Sequence, residues 1–268
     1  MARNSEEILT DAPPPAADAR LAYGPEPKQF GDLRLPEVDR LWPLAVVIHG
    51  GSWKATYNLI HTGHLCVALA AAGIATWNVE YRSVGDLHGV WPGGGDDVAA
   101  AVDFAAELGG RYPLDRDRVV LVGHSAGGHL ALWTANRAQL PVAGLAPVSD
   151  LRESAQRVGP EGAAARFLGG MPDQIPGRYA EASPRELLPL GVRQILVHGT
   201  ADGDVPYAMS ERYVEAAGSE ASLVTLEGAG HFEPIDPSVR EFERTLAAVR
   251  SLLGQLGSKA LLDQSVSG

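Results

Sequence analysis

Val119-Val120-Leu121-Val122-Gly123-His124-Ser125-Ala126-Gly127-Gly128-His129-Leu130 decides how this chain reads. An apolar, β-branched run ends in Gly-x-Ser-x-Gly and passes at once into an Ala/Leu run of helical character. That is the strand–turn–helix context in which a serine hydroxyl is lifted above a sheet as a nucleophile. The turn is so tight that the residues two positions to either side of the serine must be nearly without side chains, and Gly123 and Gly127 meet that demand. The helix that follows aims its first amides, Ala126 included, at the hydroxyl. An ordinary glycine-rich strand-to-helix turn is the bland alternative, and the flanking patterns weigh against it.

Two more segments supply what such a serine needs. Upstream, Leu44-Ala45-Val46-Val47-Ile48 is a continuous apolar run that reads as a buried parallel strand. It ends in His49-Gly50-Gly51-Ser52-Trp53, whose glycine pair leaves the N–H groups of Gly51 and Ser52 open to a carbonyl oxygen. Downstream, Gln194-Ile195-Leu196-Val197 ends in His198-Gly199-Thr200-Ala201-Asp202-Gly203-Asp204-Val205-Pro206. A strand by composition, Ala221–Leu226, then leads to Gly228-Ala229-Gly230-His231-Phe232. Ser125, Asp202 and His231 each follow an expected strand. They have the chemistry of nucleophile, orienting carboxylate and general base.

These motifs resemble the α/β-hydrolase superfamily from about Gln29 to Leu253. The His49-Gly50-Gly51-Ser52-Trp53 block matches the His-Gly-Gly-x-Trp pattern of kynurenine formamidases and related small carboxylesterases. Gly123–His129 fits the same group, and Val79-Glu80-Tyr81-Arg82 resembles the end of its next strand. The resemblance implies an α/β fold with a mostly parallel central sheet, flanking helices and a small cap insert. It implies Ser125, Asp202 and His231 as catalytic residues and the amides of Gly51, Ser52 and Ala126 as the oxyanion hole. The acid loop carries both Asp202 and Asp204, and the His-Gly-x-x-Asp-x-x-Val-Pro spacing of related esterases selects Asp202. Ser52 stands where the lipase-like branch has a third glycine, which disfavours bulky tertiary-alcohol esters. The expected function is hydrolysis of carboxylic esters of short to medium acyl length through an acyl-serine. Arylformamidase activity on N-formylkynurenine-like amides is the alternative. A prolyl-oligopeptidase-type peptidase and a non-catalytic binding protein come behind it.

Composition narrows the classes further. A formal charge of −11 opposes nucleic-acid and anionic-membrane partners, which need basic surface. The apolar runs are too short to cross a membrane, and Met1–Glu7 has no signal-like apolar region, so a cytoplasmic location is expected. The single Cys66 excludes an internal disulfide framework and reads as a small apolar position in a helix over 65–72. The expected chemistry needs a small-molecule substrate and neither cofactor nor metal.

Along the chain, an Ala/Pro-rich arm is expected over 1–28, one α/β domain over 29–256 and a C-terminal tail over 257–268. Residues 29–36 read as an edge strand, and a helix over 57–72 precedes a strand over 74–81. The Pro92–Gly95 stretch reads as a loop before a helix over 97–108, with Asp96 as its cap and Asp97 in its first turn. Strand–helix alternation breaks over about 150–190, the expected cap. It then resumes with a strand at 193–198, a helix at 207–217, a strand at 221–226 and a helix at 238–253.

The remaining candidates have bland readings beside the functional ones. Trp53, Tyr57, Trp91 and Phe232 could wall a substrate pocket or pack in the core. His49 and His198 read as structural, bonding nearby loop backbone, and His124 and His129 as packing beside the serine. His61 and His64 have a helical spacing that could hold a metal, but with no third ligand a solvated helix face is the better reading. Gly93-Gly94-Gly95 lacks the Lys and Ser/Thr of a phosphate loop.

Overall fold

The structure, a computed structural model, describes residue 7, residues 13–37 and residues 41–254. The expected C-terminal tail and most of the first twelve residues lie outside the described residues. One eight-stranded sheet organises the rest in the order β1-β2-β4-β3-β5-β6-β7-β8. Its strands are β1 (Ala19–Ala22), β2 (Phe30–Arg34), β3 (Trp42–Ile48), β4 (Ala75–Val79), β5 (Leu114–His124), β6 (Val142–Leu145), β7 (Gln194–Gly199) and β8 (Ala221–Leu226). From β4 to β8 every neighbouring pair is parallel, while β1–β2 and β2–β4 are antiparallel. The expectation of β2 as an edge strand is therefore corrected. Ala19–Ala22, inside the expected arm, pairs outside it and is fastened by Arg20, whose guanidinium donates twice to Asp32 at 2.7 and 2.9 Å.

All seven residues of β3 are buried because both faces of the sheet are covered. The period-2 alternation of a strand sorts them. Leu44, Val46 and Ile48 join the apolar layer of α2 (Gly93–Leu108) and α3 (Ala126–Ala138). Ala45 and Val47 join the layer of α1 (Gly63–Ala71) and α8 (Phe242–Leu252). Cys66 is buried in α1, where burial pushes its thiol up to about 12.

Several element ends differ from the sequence reading, for local reasons. The first helix is split. Asn58 caps a 3-10 turn at Leu59–Thr62, α1 follows, and Gly73 leaves it at a φ of +84°. Gly93–Gly95 form no loop but the first turn of α2. The missing side chain of Gly95 makes room for the indole of Trp91. Asp97 is more than a first-turn acid: its carboxylate accepts from the backbone N–H, Nε and Nη2 of Arg82 and from Gln29, pinning the end of β4. α8 begins at Phe242, four residues later than expected.

The expected break in alternation holds α4 (Leu151–Val158), α5 (Ala163–Leu168) and α6 (Pro176–Ala182); α7 (Tyr207–Ala217) follows β7. The segment is anchored to the body of the fold. Phe167 stacks on Trp53 with ring centroids 5.0 Å apart, and the Trp133 indole donates to the Glu181 carbonyl at 3.0 Å. His129 is fully buried in α3 and lies between the two structures. Its Nε2 bonds the Ala182 carbonyl at 2.9 Å, and its Nδ1 accepts from the Trp53 indole at 3.2 Å. A carbonyl can only accept and an indole N–H only donate, so these partners fix the neutral, Nε2-protonated ring.

Two measurements test this packing. A Cβ at residue 127 would overlap the Ile48 and His49 carbonyls, whereas one at residue 177 would meet open space. Gly127→Ala is expected to cost about 3 kcal/mol or more, and Gly177→Ala to be neutral or to gain up to about 1 kcal/mol, as read from urea midpoints. His129 supplies a pH test. Burial, partly opposed by the Ala182 bond, lowers it to about 4, while an unfolded imidazole titrates near 6.5. Between those values the unfolded chain takes up a proton that the folded chain refuses. The contribution is complete above about pH 6.5 and shrinks as the pH falls toward 4. Replacing His129 with Gln should flatten the slope of unfolding free energy against pH in that window by up to about one proton. An unchanged slope would contradict the assignment.

Candidate active site

Ser125 sits between β5 and α3 with φ +54° and ψ −118°, a conformation side-chain-bearing residues rarely adopt. Its N–H donates to the Leu145 carbonyl at 2.9 Å, and its own carbonyl accepts from His129 and Val148. The strained turn is thereby determined from both sides. After β3, Gly51, Ser52 and Trp53 all have positive φ, at +111°, +54° and +53°. Tyr57 packs where a side chain on Gly51 would go, which holds this loop in its shape.

His231 follows β8 and is 8 % exposed; its Nδ1 lies 2.7 Å from Oδ2 of Asp202, which follows β7. Asp202 has no side-chain exposure and no idle oxygen. Oδ1 accepts from the N–H groups of Asp204 and Val205 at 2.8 and 2.9 Å, and Oδ2 accepts from His231 and from Nε2 of His198 at 3.0 Å. Burial alone would raise this carboxyl, but the bonds from His198, His231 and Val205 outweigh it and hold it well below the usual carboxylate range. Asp202 is therefore ionised. With Nδ1–H committed to it, His231 keeps its lone pair on Nε2.

His198 is the residue whose part sequence reasoning missed. It does bond loop backbone, the Val205 carbonyl at 3.1 Å, but it also grips the Asp202 carboxylate, and its other nitrogen meets Ser210 Oγ at 2.7 Å. The four-residue spacing from His198 to Asp202 was the available signal. His61 is corrected too: it is buried, not on a solvated face, and its Nε2 lies 2.8 Å from Nδ1 of His124. His124 Nε2 in turn bonds the His231 carbonyl at 2.9 Å, which fixes that nitrogen as the donor and His61 as donor to His124. Burial and the nearby His231 lower His124 to about 3, so the ring that holds the His231 loop is neutral.

Ser125, His231, Gly51, Ser52 and Ala126 line one cavity of about 290 Å³, together with Ser154, Arg157, Val158 and Ala163 of the 150–190 segment. Trp53, Tyr57 and Phe232 border it as expected, but Trp91 does not. Trp91 is buried against Trp133 and Phe167, a strut beneath the inserted segment, and that expectation is corrected. Asp204 reaches the cavity rim with an exposed carboxylate, while its carbonyl accepts from Arg157 at 2.8 Å. Among the described residues, ligand atoms of Asp202, Asp204 and His231 lie within 4.8 Å of one another. Asp202 has spent its oxygens on N–H donors and His231 Nδ1 is turned to it, so this donor set is built for hydrogen bonding. A hydroxyl, an imidazole with a free lone pair, a buried carboxylate and open amides are together the parts acyl transfer uses.

A parallel sheet with a serine turn after β5, a buried acid after β7 and a histidine after β8 defines the α/β-hydrolase fold. The chain belongs to the BD-FAE family, whose model matches residues 32–216 and ends before His231. It is 28 % identical over 246 residues to Esterase LipC of Mycobacterium tuberculosis, a match covering 81 % of this chain and 60 % of that protein. It is 24 % identical over 254 residues to isoprenylcysteine alpha-carbonyl methylesterase ICME of Arabidopsis thaliana, covering 79 % and 55 %. The chain thus spans little more than half the length of these relatives. Among solved structures, esterase B from Lactobacillus rhamnosis superposes with a TM-score of 0.76 at 20 % identity, over 97 % of this chain and 91 % of that one. A truncated carbohydrate esterase from gut microbiota gives 0.75 at 19 %, over 89 % and 98 %. Among the described residues no helix is long and apolar enough to cross a membrane.

The two acids of the loop have opposite environments, and a pair of variants separates them. Asp202→Asn should lower kcat for p-nitrophenyl butyrate about 10³- to 10⁴-fold by spoiling the His231 tautomer. Asp204→Asn should cost roughly tenfold or less. Reversed losses would move the orienting role to Asp204.

Proposed function

We propose that the protein is a serine hydrolase that cleaves carboxylic esters of short to medium acyl length. The carrying observation is the convergence of Ser125 and the Asp202-bound His231 on one cavity beside the positive-φ loop Gly51–Trp53. In this reading Ser125 Oγ attacks the ester carbonyl while His231 Nε2 takes its proton. The amides of Gly51, Ser52 and Ala126 bind the oxyanion, each donor being worth about 3 kcal/mol in the transition state. His231 then gives the proton to the leaving alkoxide oxygen, and the alcohol departs. Water, deprotonated by the same imidazole, hydrolyses the acyl-serine, and Ser125 regains its proton. Asp202 stabilises the imidazolium at both stages without itself being protonated.

The size of the cavity favours small substrates, and the esterase names of the relatives agree with the reaction class. A small-molecule ester is the partner this predicts. Formamide hydrolysis would use the same residues, so N-formylkynurenine belongs beside p-nitrophenyl acetate, butyrate and octanoate in the assay. Ser125→Ala is expected to lower kcat for every hydrolysed substrate by about 10⁴- to 10⁶-fold and to abolish labelling by a fluorophosphonate probe. Its circular dichroism should stay unchanged, because one hydroxyl is lost from a turn held by backbone bonds. A folded Ser125→Ala protein retaining more than about a tenth of the activity would end this reading.

A further inference from the structure

A second cavity of about 350 Å³ adjoins the first and shares Ser52 and Ala163 with it. Its remaining walls come from Lys54–Thr56 of the Ser52 loop, Val84–Gly85 after β4, and Arg166 of α5. The two loops are joined by backbone: Ala55 N–H donates to the Val84 carbonyl at 3.0 Å and Val84 N–H to the Trp53 carbonyl at 2.7 Å. The charged groups of its lining are both cations. Among the described residues no carboxylate pairs with Lys54. Arg166 meets Glu161 at 3.1 Å, but both side chains are mostly exposed, and such pairs are weak enough to exchange for a ligand carboxylate. The whole chain carries −11, yet the two cations lining this cavity act locally, because salt screens distant charge over about 8 Å.

The mechanism tells which arm of an ester reaches this space. His231 must hand its proton to the leaving oxygen, so the alcohol lies on the His231 side. No residue of the His231 loop or of the Asp202 loop borders the second cavity. An acyl arm that extends past Ser52, away from those loops, would reach Lys54 and Arg166. We infer that the second cavity is an acyl-end subsite for half-esters of dicarboxylic acids, whose free carboxylate is received by Lys54 and Arg166. Ammonium and guanidinium donors suit that group through charge-assisted hydrogen bonds. The inference rests on the serine-hydrolase reading above and adds a substrate class to it.

The test compares kcat/KM for the monoethyl esters of succinic, adipic and suberic acids with the ethyl esters of the matching ω-amides, which differ only in charge at the far end. Wild type is expected to favour at least one half-ester about tenfold. The double variant Lys54→Gln, Arg166→Gln should abolish the preference while leaving ethyl hexanoate within about twofold. Acetylglycolic acid, which carries its carboxylate on the alcohol side, should show no advantage over its amide. Three results would each overturn the subsite: no preference at any chain length, a preference that survives the double variant, or a preference confined to the alcohol side. Ser125→Ala run on the same substrates separates the two readings. Hydrolysis lost in that variant without any charge preference removes the subsite alone, and hydrolysis retained removes the serine mechanism.

Discussion

The first turn of α3 lies against the carbonyl oxygens of Ile48 and His49, an approach that a side chain at residue 127 would block. Gly123 plays the same part from β5, where a Cβ would strike the Gly127 carbonyl. These two contacts let strand and helix meet at so sharp an angle that Ser125 must take its positive φ. The backbone bonds to Leu145, His129 and Val148 then hold it there. The same close approach brings the end of β3, and hence the Gly51–Trp53 loop, beside the serine. One steric constraint therefore sets both the hydroxyl and the amides facing it.

The electrostatics of the site are arranged around a single buried charge. Asp202 is ionised because four donors reach it, two from backbone and two from imidazoles. Three further histidines close to the site, His61, His124 and His129, are buried and lie below the usual imidazole range, so they act as neutral hydrogen-bonding spacers. A second cation beside His231 would oppose the imidazolium that the proposed chemistry forms. Keeping these rings neutral removes that opposition. Burial thus makes these three rings a neutral scaffold around His231.

Much of this was legible in the sequence because glycine and chain periodicity punctuate it. The strand at 221–226 and the helix at 207–217 are read to the residue, bounded by Gly218 and Gly228. The three candidate site residues are legible because each follows a strand that apolar or β-prone composition marks. What escaped depends on partners remote in sequence. Gly93–Gly95 read as a loop on intrinsic propensity, and the bulk of Trp91 makes glycine useful inside a helix there. Ala19–Ala22 is too short and mixed to announce a strand, and its anchor is Asp32 on the neighbouring one. His61 looked solvated because its partner, His124, arrives from another strand end.

The order of the elements also bears on how the molecule comes into being at the ribosome. Ser125 and the Gly51–Trp53 loop belong to strands translated early, whereas His231 follows β8, the last strand of the sheet and one of its edges. The cavity that holds Ser125 therefore takes its Gly51–Trp53 wall from early elements and its His231 wall from the last strand. On the serine-hydrolase reading proposed above, the hydroxyl would have no imidazole to accept its proton until β8 is in place. The pairing of β8 with β7 would then be what completes the site.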